Sequence, residues 1–182
     1  MPRLQLINRE NADEKARELL NRVQSKLGMT PNIMRTMANS PAVLQAYLGF
    51  GEALAKGSLS AKLREQIALA VAEANGCNYC LAAHSAIGQT VGLSKEEILD
   101  SRRSFSTNNK DNAALRFARK LVDNRGVVDD REISRVRDVG YSDGEIAEIV
   151  ANVARNIFTN YFNHVAETAI DFPQVEALAA TQ

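Results

Sequence analysis

The sequence predicts an all-α fold, and three observations point that way. Proline occurs only at positions 2, 31, 41 and 173, so the long stretch between Pro41 and Pro173 has no helix breaker of that kind. That stretch is rich in Ala, Leu and Glu and poor in alternating β-branched runs, so its apolar periodicity is helical. Stop-and-cap signals, a glycine shortly before Ser or Asp with Glu three residues on, divide it at Ser94, Asp129 and Ser142.

Taken in order, Asn11 with Glu14 reads as a capping pair. Ala12, Ala16, Leu19, Leu20, Val23 and Leu27 then form a helical stripe that ends at Gly28. Thr30 and Pro31 open a short second helix, in which Met29, Met34 and Met37 recur at roughly helical spacing and read as core or interface. Ser40 as N-cap with Pro41 at the first helical position starts a third helix, ending near Gly57; Gly49 and Gly51 within it suggest close packing or a bend.

From Ser60 to Gly76 the residues Leu63, Ile67, Ala68, Leu69, Ala70, Val71, Ala72 and Ala74 leave little polar face, and a helix apolar on most sides is usually buried. The next helix carries the cysteines and runs to about Gly92. It is followed by Ser94 to about Ser101, a loop over 101–110, and a helix over Asp111 to Asn124 with Leu115, Phe117, Ala118, Leu121 and Val122 inward. Asp129 with Glu132 caps the next helix. The last and longest starts at Ser142 and buries Ile146, Ile149, Val150, Val153, Ile157 and Tyr161. The tail after Asp171 either docks as a short arm or frays.

Val91-Gly92-Leu93-Ser94 with Glu97 is echoed 48 residues later by Val139-Gly140-Tyr141-Ser142 with Glu145. This hints at two related helical halves, although Gly-x-Ser-x-x-Glu is also a generic stop signal. A second half built as a copy would carry no site. Shifted by the same offset, Cys77, Cys80 and His84 fall on Arg125, Val128 and Glu132.

Chemistry concentrates in Glu65–His84, EQIALAVAEANGCNYCLAAH, the core of a single domain over 1–182 whose site region spans 60–92. It holds the only two cysteines, Cys77 and Cys80, and one of two histidines, His84. At about 100° per residue, these three share one stripe of a helix. Gly76 marks the end of the preceding helix, which puts the cysteines at the next one's N-terminus, where unpaired amides and the helix dipole favour a thiolate. Cys80 is the better nucleophile, because His84 sits one turn along the same face and can take its proton; Cys77 would resolve. A Glu65 side chain buried on an apolar helix needs either a partner or a raised affinity for a proton, the latter being what a proton-accepting relay member would have, although dipole-favoured placement in partly exposed first turns also explains it.

Glu65, then Cys77-Asn-Tyr-Cys80-x-x-x-His84, resembles the alkylhydroperoxidase D-like branch of the carboxymuconolactone decarboxylase superfamily. Pro31-Asn32, Ser40-Pro41, the Asn-Tyr-Phe-Asn-His run from Asn160 and Asp-Phe-Pro from Asp171 are similar to its peroxidase-related members, so the resemblance spans nearly the whole chain. It implies an alkylhydroperoxidase-like helical bundle. It also implies a thiol peroxidase in which Cys80 and Cys77 cycle between dithiol and disulfide, with a His84/Glu65 proton relay, no metal or cofactor, and an external dithiol as reductant. A homo-oligomer, commonly a trimer or hexamer, is implied as well. The best-characterised members carry histidine where this chain has Tyr79, which does not titrate near neutral pH but can close the pocket or help hold substrate. The parent lactone decarboxylases lack the cysteine pair, so the motif does not imply decarboxylation.

Three other readings stand beside the peroxidase. One is a dithiol–disulfide adaptor reductase serving another peroxidase. Another is a zinc site using Cys77, Cys80, His84 and Glu65, although structural zinc usually draws ligands from two separate knuckles. The third is a helical scaffold with buried inert cysteines. His164 and Asn163 fall on the last helix, where a single histidine such as His164 reads as a hydrogen-bonded packing residue rather than a catalyst.

Lys plus Arg equals Asp plus Glu at 22 each, so no whole-molecule field favours nucleic acid or an anionic membrane. MPRLQLINRE has no apolar core of signal-peptide length, no stretch approaches the ~20 apolar residues of a membrane helix, and a cytoplasmic address follows. At 182 residues the chain can bury roughly 70% of its unfolded surface without a staple, so in a reducing compartment so close a cysteine pair points to catalysis or metal binding.

Overall fold

A computed structural model describes residues 2–176 and 178. The described residues contain helices and no strand: α1 Glu14–Leu27, α2 Asn32–Met37, α3 Pro41–Leu54, α4 Ala61–Ala74, α5 Asn78–Thr90, α6 Lys95–Arg102, α7 Asn109–Asp123, α8 Asp130–Asp138 and α9 Asp143–Ala166. The all-α expectation holds.

The most apolar segment became the centre. α4 packs against α5, α6, α7 and α9, and every residue from Gln66 to Ala72 is buried, so the helix has no solvent face along that run. Its alanines let neighbouring helices approach from all sides. On one flank Ile67, Ala70 and Val71 join Leu115, Phe117, Val136, Ile149 and Val153 in a core shared with α7, α8 and α9. On the other, Ala72 joins Leu20, Ile33, Met37 and Leu44 of α1–α3, together with Cys77, Tyr79 and Cys80. The cysteine pair therefore lies inside the second core, beside the central helix.

Several boundaries follow the capping rules. Ser94 and Ser142 each form a full capping box with Glu97 and Glu145. Asp129 accepts from the Glu132 amide, and Gly28 ends α1 in the left-handed conformation that glycine adopts without steric cost. The 48-residue offset extends beyond those caps. It relates the starts of α4 and α7 (Ala61, Asn109), the ends of α5 and α8 (Thr90, Asp138) and the starts of α6 and α9 (Lys95, Asp143).

Other boundaries differ from expectation, each for a local reason. α1 is capped by Asp13, whose carboxylate accepts from the Ala16 amide at 2.8 Å, while Asn11 is spent in a turn with Asn8. α7 starts at Asn109 rather than Asp111, because Asn108 caps it by accepting from the Asp111 amide at 3.0 Å, so the loop after α6 covers only 103–108. Leu27 is exposed, at the end of its stripe.

The largest correction concerns α9. Val150 and Tyr161 are 44% and 57% exposed, whereas Asn152, Asn156, Thr159, Asn160 and Asn163 are buried. Two stripes at i, i+4 spacing compete on this helix, and the more polar one faces inward along much of its length.

The arm after α9 docks at least as far as Val175, which packs with Phe172 against the α1–α3 core. Asp171 caps α2, a helix whose own N-cap, Pro31, has no side chain that can do so. Its carboxylate accepts from the Asn32 amide at 2.7 Å and from the Tyr79 hydroxyl at 2.8 Å, and that hydroxyl in turn accepts from the Ile33 amide at 3.2 Å. Tyr79→Phe should leave the Ile33 amide unsatisfied at about 1–3 kcal/mol. For a domain of this size, a melting temperature lower by roughly 2–10 °C follows. An unchanged thermal melt by circular dichroism would show that the hydroxyl does not hold the arm.

Candidate functional site

The site is built on the turn between α4 and α5. Gly76 adopts φ 64°, and the Cys77 amide reaches back to the Ala72 carbonyl at 2.9 Å, which ends α4 and starts α5 within three residues. Cys77 becomes the N-cap of α5, its sulfur accepting from the Cys80 amide at 3.4 Å. The sharp reversal sets α5 against α4, so His84 meets Glu65 from the helix before it. His84 Nδ1 lies 2.7 Å from Glu65 Oε2, with both side chains largely buried.

All four residues expected from the sequence thus converge. The Cys77 and Cys80 sulfurs are 2.7 Å apart, both buried, both free. Cys80 lines a cavity of about 470 Å³ together with His84, Tyr47 and an apolar wall of Ile33, Met34, Ile87 and Phe172; Cys77 lies behind it. The Tyr79 ring also faces this cavity, edge-on to Phe172 with centroids 5.9 Å apart, while its hydroxyl is engaged by Ile33 and Asp171.

Electrostatics separate the two sulfurs. A hydrogen bond from the Cys77 thiol holds Cys80 below the ordinary thiol range against the opposing effect of burial, helped by the charge of His84 and by the Asn163 and Asn160 amides. Cys77, as the donor to that thiolate, is pushed well above the ordinary range, and burial adds to the rise. For His84, burial favours the neutral ring, but the charge and hydrogen bond of Glu65 and the charge of Cys80 more than offset it, so its pKa is raised. With Nδ1 taken by Glu65, Nε2 is the nitrogen left to exchange a proton in the cavity.

The polar stripe of α9 supplies what the sequence reading missed. Asn163 donates from Nδ2 to the Cys80 sulfur at 3.2 Å, while neighbouring His164 is exposed. Asn75, at the end of α4, donates to Asn160 Oδ1 at 2.8 Å and orients that amide. Arg155, one turn before, stacks on Tyr47 with its guanidinium carbon 4.6 Å from the ring centroid. The only signal in the sequence was the i, i+4 recurrence of asparagine at 152, 156 and 160, followed by 163. Asn163→Ala should slow alkylation of Cys80 near neutral pH by roughly 10-fold, the scale of a charge-assisted hydrogen bond, and shift the midpoint upward. An iodoacetamide rate profile identical to wild type would remove Asn163 from the thiolate's support.

Among the described residues, no group of three or more His, Cys, Asp or Glu side chains is arranged to hold a metal ion. No helix among them is long and apolar enough to cross a membrane.

Residues 41–120, which include Glu65, Cys77, Cys80 and His84, match the model of the carboxymuconolactone decarboxylase family. An uncharacterised protein of Haemophilus influenzae is 52% identical over 46 residues, which are 25% of this chain and 41% of that protein's length. Among solved structures, the alkylhydroperoxidase AhpD core of a peroxidase-related protein from Ralstonia eutropha JMP134 is similar at 24% identity and TM-score 0.85, covering 93% of this chain and 92% of that one. A peroxidase-related protein from Silicibacter sp. TM1040 is similar at 23% identity and TM-score 0.82, covering 92% and 89%. The debrominase Bmp8, solved with 2,3,4-tribromopyrrole, has the same fold at 22% identity and TM-score 0.79, covering 94% of each chain. Residues 41–120 are thus similar to the carboxymuconolactone decarboxylase family, and the fold of the chain is that of the AhpD core.

Proposed function

We propose that the chain is a thiol-dependent peroxidase that reduces organic hydroperoxides. The observation that carries this reading is the polarised cysteine pair. Cys80, favoured as thiolate, lines the cavity with His84, and its sulfur has Cys77 2.7 Å away on the other side.

In the first step the Cys80 thiolate attacks the outer oxygen of the hydroperoxide. The S–O bond forms, the O–O bond breaks, and the leaving alkoxide takes a proton from His84 to depart as the alcohol. Asn163 Oδ1, buried and without a hydrogen-bond partner among the described residues, is an acceptor suited to the hydroxyl of the resulting sulfenic acid. In the second step Cys77 attacks the Cys80 sulfur and forms the disulfide; the S–O bond breaks, and the sulfenic hydroxyl takes the Cys77 thiol proton and leaves as water. An external dithiol then reduces the disulfide and returns both sulfurs to their starting state.

Burial favours a peroxidase over a protein-to-protein adaptor. With Cys77 1% and Cys80 2% exposed, a partner protein's sulfur has no approach, whereas a hydroperoxide or a small dithiol can enter the cavity. A cytoplasmic setting would supply such a reductant. The apolar residues on the outer side of α9, Val150, Phe158, Tyr161 and Val165, suit burial between subunits of a homo-oligomer, a trimer or hexamer, which light scattering would test.

The test is reductant-dependent consumption of alkyl hydroperoxides against a panel of dithiols. Turnover that saturates in both reactants is expected. No consumption above the uncatalysed rate with any combination would end the reading.

A further inference from the structure

The cleft holding Cys80 continues past His84. A second lobe of about 740 Å³ shares with the apolar one Leu27, Met34, Tyr47, His84, Ile87 and the rim residue Lys26, which is paired with Glu52, and it adds Arg155 and Glu65. A molecule lying across the boundary at Tyr47 and His84 would therefore have an apolar surface on one side and Arg155 on the other.

Arg155 is unusually placed for a cation. Its Nε is buried without a hydrogen-bond partner among the described residues, and its guanidinium lies over the Tyr47 ring. The backbone makes room for it at Gly51, where a Cβ would lie 2.9 Å from Nη2. Two carboxylates of this lobe are otherwise engaged, Glu65 with His84 and Glu52 with Arg22 and Lys26; the third, Glu18, is exposed on the rim and makes no ion pair with Arg155. Burial raises the Tyr47 phenol above its ordinary range despite the nearby Arg155, so it offers no counter-charge. Among the described residues Arg155 thus has no ion-pair partner, and a half-buried guanidinium presents a planar fork that matches a carboxylate.

We propose that Arg155 binds the anionic end of the substrate, which makes the substrate class an organic hydroperoxide that also carries a carboxylate. Its apolar body fills the first lobe with the peroxide at Cys80, and its carboxylate crosses to Arg155. The hydroperoxide half of this statement rests on the peroxidase reading; the carboxylate half rests on Arg155 alone.

The test compares a fatty-acid hydroperoxide with its methyl ester. Wild type should prefer the acid by roughly 10-fold or more in kcat/KM, carried by KM. The acid-to-ester ratio should fall to near one in Arg155→Met and to an intermediate value in Arg155→Lys, which keeps the charge and loses the fork. Gly51→Ala, which displaces the guanidinium and leaves the charge, should also lower it and serves if Arg155→Met does not fold. A wild-type ratio near one, or a ratio that Arg155→Met leaves unchanged, overturns the proposal. Should no hydroperoxide turn over, the peroxidase reading fails by itself. Calorimetric titration of Cys80→Ser with laurate and methyl laurate then decides the carboxylate site: laurate tighter by roughly 10-fold, and not in the Cys80→Ser, Arg155→Met double variant, supports it, while equal affinities overturn it.

Discussion

Cys80→Ser should abolish hydroperoxide turnover to the uncatalysed level, while Cys77→Ser should react once and stall. A serine hydroxyl at position 80 would not ionise under conditions where the depressed Cys80 thiol does, so no nucleophile remains in the cavity. At position 77 the loss is different in kind. The attacking sulfur survives, and the sulfenic acid it forms has no neighbour 2.7 Å away to condense with. Dimedone should label peroxide-treated Cys77→Ser at Cys80 and leave wild type largely unlabelled, since wild type closes its disulfide. Comparing Cys77→Ser with Cys77→Ala separates two roles of that residue. Serine retains a donor to the thiolate and alanine does not, so alkylation of Cys80 should need a higher pH in the alanine variant. Full turnover by Cys80→Ser, or sustained turnover by Cys77→Ser, would refute the cycle.

Glu65→Gln should narrow the pH window of activity from both sides. The sign follows from the two shifts. Cys80 is depressed, so the thiolate is present above its folded pKa and is lost as pH falls through that value. His84 is raised, so the imidazolium that protonates the leaving alkoxide is present below its folded pKa and is lost as pH rises through it. Activity is therefore greatest between the two, the bell expected of an acid and a nucleophile that stabilise each other. Glutamine removes the carboxylate's charge, so the His84 pKa falls and the alkaline limb moves to lower pH. With less positive charge beside it, Cys80 loses part of its own support and the acid limb moves up. His84→Ala removes the proton donor outright and should lower kcat by roughly 10²–10⁴. Stopped-flow rates of Cys80 oxidation across pH, for wild type and both variants, measure these outcomes. A Glu65→Gln profile superimposable on wild type would show that the 2.7 Å contact with His84 has no role in the chemistry.

Much of the fold was legible because its signals are local. A glycine before Ser-x-x-Glu specifies a helix end and the next start within six residues, which is why the boundaries at Ser94 and Ser142 were read correctly. The start of α7 was read two residues late, because SRRSFSTNNK offers several side chains able to cap and only the backbone path selects Asn108. The inner face of α9 was misread for a related reason. Hydrophobicity favoured Val150 and Tyr161, but which stripe turns inward depends on the partner, and here the partner is a thiolate site that needs amide donors.

The sequence by itself determined the all-α architecture, the burial of the segment before Gly76, and the placement of Cys77, Cys80 and His84 on one helical stripe, since each follows from spacing within a dozen residues or so. Tertiary structure alone decided which amides support the Cys80 sulfur, how Asp171 caps a helix 139 residues earlier in the chain, and where, among the described residues, Arg155 was left without a counter-charge. Those are relations between groups far apart along the chain, set by how α9 and the C-terminal arm lie against α2–α5. Their energies depend on burial and direction, which no pattern along a single strand of residues encodes.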